Sequence, residues 1–407
     1  MVARPAKLSF IATIAVWFTI GILVVATPQS ARSEEATEEA FVIGLNADMS
    51  SASAESGEAI RRGMVVAIDE INAAGGILGK PLRLKIRDHR GNPARGIDNI
   101  DAFGAEDDVI AVMGGLHTPV SMAELPNVQR HNLIYLVPWA AGTQIVDNGF
   151  TPNPVFRVSV RDEYAGRFLA LEAQRRGFKS VGLLLENTGW GRSNETAMRT
   201  VAAEIDLDIA DTQWFGWGVK GLKPQVEALR TSGAQAIILV ANAREGAVAV
   251  NAVARMKSQQ RLPVVSHWGI TGGRFVETLG DDIEAVDLTF LQTYSFLRPT
   301  RPERADAFLA RYYDLFPDTQ RKAQEILSPV GTAHAYDLTH MLARAATQAG
   351  SVDPDKLRLA LENLGRYEGL VKVYDPPFTN NHHDALILTD FTLARFLKSG
   401  AIVPVRR

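Results

Sequence analysis

Phe41-Val42-Ile43-Gly44-Leu45, Leu82-Arg83-Leu84-Lys85-Ile86, Val109-Ile110-Ala111-Val112-Met113 and Leu133-Ile134-Tyr135-Leu136-Val137 are four runs of strand length, apolar or alternating, inside one hundred-residue stretch. Between the first two, Ile60, Met64, Ala67, Ile68 and Ile71 recur at helical spacing from about Glu58 onward. Gly75 and Gly76 end that helix, and Pro81 prevents it from resuming. Further helices are expected near Pro93 to Phe103 and Pro119 to Arg130. Strands that alternate with helices build a parallel sheet, because a parallel neighbour is reached only by a crossover. Such sheets bind ligands at the carboxyl ends of their strands. The loops at those ends are polar: Asn46, Asp48 and the small residues Ser50 to Gly57 follow the first strand.

The same alternation continues outward from this stretch. Val181 to Leu185, Ala236 to Val240 and Pro263 to Val265 read as strands, with helices near Ala165 to Arg176, Gly191 to Ile205, Pro224 to Ser232 and Glu245 to Gln260. A further strand is expected at Leu288 to Tyr294, then helices over Glu303 to Phe316 and Pro329 to Gln348, then strands at Leu386 to Thr389 and Ala394 to Leu397. The second half thus repeats the design of the first, and 407 residues favour two domains over one.

At the N-terminus Arg4 and Lys7 precede an uncharged, largely apolar run from Leu8 to Ala26. Small residues at Ala31-Arg32-Ser33 suit cleavage before Glu34, so residues 1–33 are expected to be an export signal peptide. A retained anchor is the alternative, since nineteen such residues just span a bilayer. Losing Arg4, Lys7 and Arg32 with the leader moves the net charge from −3 to −6, which argues against nucleic-acid binding. There is no cysteine, hence no disulfide, thiolate metal site, cysteine nucleophile or lipidated cysteine.

The run Ile68-Asp69-Glu70-Ile71-Asn72-Ala73-Ala74-Gly75-Gly76-Ile77-Leu78-Gly79-Lys80-Pro81-Leu82 resembles the signature helix end of the substrate-binding proteins of ABC transporters for branched-chain amino acids. Gly114-Gly115, Val137-Pro138-Trp139-Ala140-Ala141, Tyr164 to Gly166, Gly189-Trp190-Gly191 and Ala335-Tyr336-Asp337 support the resemblance, which covers about residues 41 to 400. It implies the type I periplasmic-binding fold: two Rossmann-like α/β lobes with parallel sheets, joined by three crossovers and closing on a ligand by hinge motion. The crossovers are expected near Arg157 to Arg161, Gln292 to Phe296 and Glu368 to Val371. The lobes would then comprise residues 41–157 with 295–368, and 161–292 with 371–407.

Trp139, Trp190 and Trp268 each fall just past the carboxyl end of an expected strand, which places them at a ligand cleft; ordinary packing is the alternative for each alone. By resemblance, Trp190 stands where the family presents an aromatic ring to the ligand. Likewise His117 and Thr118 stand where a hydroxyl residue holds the ligand carboxylate, and Ala140 and Ala141 where backbone groups and a hydroxyl complete that contact. The hydroxyl is missing at Ala141, and Thr143 is its candidate substitute. A charged His117 would make affinity depend on pH. Family members that bind α-amino acids place an acid for the ammonium where this chain has Ser266-His267-Trp268-Gly269. A buried ammonium without an anion is costly, so either the ligand is an apolar or aromatic carboxylate, or Asp48 or Glu186 supplies the charge. Asn242 and Arg244 are further candidates; an exposed helix-start arginine is the ordinary reading of the latter.

Catalytic signals are weak. Gly216-Trp217-Gly218-Val219-Lys220-Gly221 fits G-x-G-x-x-G, but no convincing strand precedes it and Asn242, not an acid, ends the next one. Gly75 to Lys80 lacks the serine or threonine of a phosphate loop. His382-His383-Asp384 lies on an extended segment, where neighbouring side chains point apart. No enzyme activity, cofactor or metal is therefore expected. The sequence points to a periplasmic solute receptor that delivers a branched-chain amino acid or an aromatic or aliphatic carboxylate to a membrane permease. The alternative is a sensory ligand-binding protein of a signalling system.

Overall fold

The helix that runs into Gly75-Gly76 is fastened at its end by its own side chain. In the computed structural model, which describes residues 39–405, the Asn72 amide donates to Leu82 O at 2.9 Å and accepts from Leu82 N at 2.8 Å. Gly75 and Gly76 take φ of +100° and +76°, and a Cβ on Gly76 would sit 2.0 Å from Lys80 O, so only glycine lets the chain double back there. The run thus converts a helix into the next strand within a few residues.

The elements around it are β1 (Phe41–Ala47), α1 (Ala54–Ala73), β2 (Leu82–Asp88), α2 (Pro93–Gly104), β3 (Val109–Met113), α3 (Thr118–Arg130), β4 (Tyr135–Val137), α4 (Thr143–Val146) and β5 (Val155–Arg157). Their strands form one parallel sheet in the order β2-β1-β3-β4-β5. β3 and β4 are buried along their whole length, as expected of strands covered by helices on both faces.

Next come α5 (Asp162–Arg175), β6 (Ser180–Glu186), α6 (Gly189–Ile205), β7 (Asp208–Phe215), α7 (Lys223–Thr231), β8 (Ala236–Val240), α8 (Ala243–Ala254), β9 (Val264–Ser266), α9 (Phe275–Leu279) and β10 (Leu288–Gln292). The chain then runs through α10 (Pro302–Leu315), α11 (Pro329–Ala349), α12 (Pro354–Glu362), the hairpin β11 (Tyr367–Glu368) and β12 (Val373–Tyr374), and finally β13 (Thr392–Phe396) and β14 (Ile402–Pro404). The second sheet has the order β14-β13-β10-β9-β8-β6-β7, with β13 alone running antiparallel to the other strands. This is the α/β architecture that the alternation implied.

α10 and α11 return to the first sheet's side and pack along α1. Tyr336 Oη and His340 Nε2 lie 2.6 and 3.0 Å from one oxygen of Glu70, and Arg311 pairs with Asp69. A Cβ on Gly63 would lie 2.1 Å from Thr332 O, so glycine permits the close crossing of α1 and α11.

Three sequence expectations are corrected. β7 was missed because its residues are polar-mixed and only half-buried, as befits the edge of a sheet. It places a strand directly before Gly216, where none was expected. Leu386 to Thr389 is irregular chain entering a short 3₁₀ turn over Leu388–Asp390 rather than a strand. Glu368 to Val371, expected to cross between lobes, lies at the hairpin turn instead. There Leu370 and Val371 N–H and Tyr374 Oη all donate to the buried Asp337 carboxylate of α11. The chain then runs back beside β5, where Arg157 N donates to His383 O and Ala385 N to Arg157 O, both at 2.8 Å, before reaching β13.

The signal-peptide expectation for residues 1–33 lies outside the described residues. Among the described residues no helix is long and apolar enough to cross a membrane.

Candidate functional site

Loops at the carboxyl ends of strands from both sheets meet in one cleft. From the first sheet, the turn after β3 brings Leu116, His117 and Thr118 to the start of α3. Gly115 has φ +67°, and a Cβ there would meet Val137 Cγ1 at 2.6 Å, so the turn depends on glycine. Ala140 N donates to Gly115 O at 2.5 Å and Gly142 N to Thr118 Oγ1 at 3.2 Å, locking this turn to the loop after β4.

Beneath that loop the buried guanidinium of Arg157 donates to Gly142 O at 2.8 Å and Ala140 O at 3.3 Å, and pairs with buried Asp384, which Arg161 also reaches at 3.2 Å. The two guanidinium groups hold the Asp384 carboxyl below its usual value against the opposing effect of burial. A charge pair in the interior thus holds the carbonyls of the cleft floor in place.

His117 is buried. Its Nε2 lies 3.0 Å from Ser53 Oγ, and its Nδ1 has no hydrogen-bond partner. Burial pushes the ring down to about 4, with Asp48 acting the other way, so it is neutral at neutral pH.

From the second sheet come Glu186 at the end of β6, Trp190 in the first turn of α6, Asn242 before α8 and Trp268 in the turn after β9. The Trp190 indole N–H donates to Asp162 Oδ1 at 3.2 Å, and Asn194 donates to the same oxygen at 2.7 Å. His267 Nδ1 accepts from Trp268 N at 2.9 Å, which leaves the proton on Nε2, 3.4 Å from Asp162 Oδ1. Asp162 is fully buried, and its carboxylate oxygen fixes Trp190 and Asn194. Trp190 meets His267 edge-on at 5.0 Å, and Trp268 packs between Trp139 at 5.6 Å and His334 at 5.5 Å.

Glu186 is fully buried, accepting from Asn242 Nδ2 at 2.9 Å and Thr188 Oγ1 at 3.0 Å. Burial, helped by the like-charged Glu245 and opposed by contacts from Trp217, Thr188 and Asn242, raises it to about 7.

The structure brings His117, Thr118, Ala140, Ala141, Trp190, Asn242 and Trp268 to the lining of this one cleft, together with Trp139 and Glu186. It does not bring Asp48 or Thr143 there. Asp48 spends its carboxylate on the loop before α1, accepting from Ser50, Ser51 and Ser53 N–H at 2.8 to 3.3 Å and from Ser51 Oγ. Thr143 Oγ1 accepts from Glu163 N at 3.3 Å, and the residue lines a separate groove with Tyr164 and Arg167. Arg244 is exposed and outside the cleft lining.

Trp217 was missed. It was set aside within a glycine pattern, yet it follows β7 and its ring lies 5.5 Å from His117 across the cleft. The signal that would have found it is an aromatic residue between two glycines just after a strand. The space left in the cleft is about 10 Å³, room for roughly one water.

Two parallel α/β sheets with a cleft at the carboxyl ends of both define a type I periplasmic-binding fold, the class of two-sheet receptor. The chain belongs to the family described as Periplasmic binding protein, whose profile it matches over residues 41–401. It is 22% identical over 329 residues to Leu/Ile/Val-binding protein homolog 1 of Brucella abortus, covering 80% of this chain and 83% of that one. The fold is similar to a periplasmic binding protein type 1 from Bordetella pertussis, at a TM-score of 0.80 and 22% identity over 90% of this chain and 100% of the other. It is also similar to a solute-binding protein of an ABC transporter from R. palustris in complex with 4-hydroxybenzoate, at a TM-score of 0.75 and 18% identity over 90% and 96%.

Proposed function

We propose that the chain is an exported receptor of an ABC importer that captures a small amino-acid-like or carboxylate ligand between two lobes and delivers it, chemically unchanged, to a membrane permease. Residues 1–33 would direct export. The carrying observation is the convergence of His117, Thr118, Ala140 and Ala141 from one sheet with Glu186, Trp190, Asn242 and Trp268 from the other on a single apolar cleft with few polar groups. The relative and the solved structure described above, named for leucine, isoleucine and valine and for 4-hydroxybenzoate, support this range of ligands.

The proposed lobes are the two sheets with their helices, α10 to α12 counting with the first. Residues 158–161, 293–301 and 386–391 would flex between them, since each connects elements of different sheets. Contacts that cross between the two sides, such as Ser56 Oγ to Gly272 O and Ser328 Oγ to Thr271 O, both at 2.6 Å, would break and re-form as ligand enters.

Calorimetric titration of the purified protein against leucine, isoleucine, valine, small amides and aromatic or aliphatic monocarboxylates tests the reading. Saturable binding of one of them, with a smaller radius of gyration in solution scattering, is the expected result. No binding by any of them would overturn it.

A further inference from the structure

The cleft lining has four indoles, those of Trp139, Trp190, Trp217 and Trp268, and one carboxyl group, Glu186, but no lysine or arginine. Glu186 is fully buried and forms no ion pair among the described residues; the like-signed Glu245, itself buried, raises it further and accepts from Gly218 N at 2.8 Å. Two acids on the second sheet's side therefore stand behind a wall of aromatic rings, neither of them ion-paired among the described residues. On the opposite wall are the turn after β3 and the start of α3, with Thr118 Oγ1 and neutral His117. The cleft is thus polarised, with an acidic aromatic end and an end of donors and helix N-terminus that suits an anion.

The state of Glu186 bears on which cation fits. Its two oxygens already accept from Asn242 and Thr188, and Trp217 is a third contact. A primary ammonium brings three N–H donors and a tightly held hydration shell, and each donor left unpaired in this buried end is costly. An alkylated ammonium brings few or no donors and sheds its water more readily. It is attracted to the faces of indoles, tryptophan being the strongest of the aromatic partners.

We propose that the cleft selects a small zwitterion whose cationic end is an N-methylated ammonium, seated among Trp190, Trp217 and Trp268 with Glu186 as its counter-charge and its carboxylate toward Thr118. The inference rests on the receptor reading above and narrows its ligand class. Trp217 is the gate in this arrangement. The residue is 44% exposed, the cleft space is about 10 Å³, and a Cβ on either flanking glycine would meet nothing within 4 Å, so this loop has room to move as ligand enters.

The test is calorimetric titration of the purified protein with matched pairs: glycine and N,N,N-trimethylglycine, proline and N,N-dimethylproline, valine and N,N,N-trimethylvaline, with isovalerate and 4-hydroxybenzoate as amine-free acids. At least one methylated probe is expected to bind about tenfold or more tighter than its parent and than both acids. Glu186→Gln, which keeps the shape and removes the charge, should lower that affinity about tenfold, and Trp217→Leu should erase the preference for the methylated member while the protein still melts cooperatively. Tightest binding by valine or by an amine-free acid would overturn the inference and leave the receptor reading standing. Undiminished binding of the methylated probe by Glu186→Gln would overturn it as well. Silence from every probe would overturn the inference, and the receptor reading would fall with it only if leucine, isoleucine and the small amides were silent too.

Discussion

Trp190 is held from two directions, by its N–H on Asp162 and by the perpendicular His267 ring 5.0 Å away, so its indole reaches the cleft in one orientation. Trp190→Ala should weaken ligand binding by about 2 kcal/mol or more, read as the change in dissociation constant by calorimetry. Trp190→Phe keeps a ring but loses the N–H and should fall between. A dissociation constant unchanged by the alanine variant would return the ring to a packing role. The same scale explains why Asp48, a reasonable charge donor in the sequence, does not reach the cleft. Four hydrogen bonds from its own loop already satisfy it, and nothing in the spacing of Asp48 and Ser50 to Ser53 announces that they turn back on themselves.

Among the elements, α3 is tied to the first sheet by a buried polar knot. Glu124 accepts from Asn46 Nδ2 at 2.9 Å and Tyr135 Oη at 2.5 Å, and Tyr135 Oη accepts from Gly115 N at 2.9 Å in the turn that carries His117. Burial pushes Glu124 up to about 8. A carboxyl group whose folded value lies above its unfolded one holds a proton in the native state that the unfolded chain has lost, so stability falls as pH rises from the unfolded value near 4.5 through about 8. His89, His117 and His334, all lowered to about 4 by burial, act oppositely but only between about 4 and 6.5. Denaturant unfolding between pH 6.5 and 8 therefore isolates the carboxyl effect. The protein should lose roughly 2 kcal/mol or less across this window through Glu124, and Glu124→Gln should show a flatter profile. Equal slopes in both proteins would refute the assignment. Glu186, at about 7, contributes to the slope in both and cancels in the comparison.

For the whole molecule, the Arg157–Asp384–Arg161 cluster joins residues 227 positions apart at the point where the chain leaves the first sheet. Asp384→Ala strands a buried guanidinium and should cost about 3–5 kcal/mol, read as a fall in denaturation midpoint. It should also loosen the Ala140–Gly142 carbonyls and weaken ligand binding. A variant with unchanged midpoint would show that the cluster is not held as described. Its members were legible only as a histidine-histidine-aspartate run and a crossover arginine; that they meet is a matter of topology.

By itself the sequence determined the alternation of strands and helices, and hence two parallel sheets. Apolar runs of strand length and helical periodicity are local properties of the chain. It also determined the glycine turn at Gly75-Gly76 and the placing of Trp139, Trp190 and Trp268 after strand ends, because backbone strain and strand direction act over a few residues. The polar-mixed edge strand β7 escaped it, since an edge is half-buried and carries no clean period. Only the tertiary structure decided that Glu186 rather than Asp48 faces the cleft, that Trp217 reaches across to His117, and that Asp384 neutralises Arg157. Each of these depends on which loops are brought together at the ends of two separate sheets, and on whether a polar group finds its partner nearby or far along the chain.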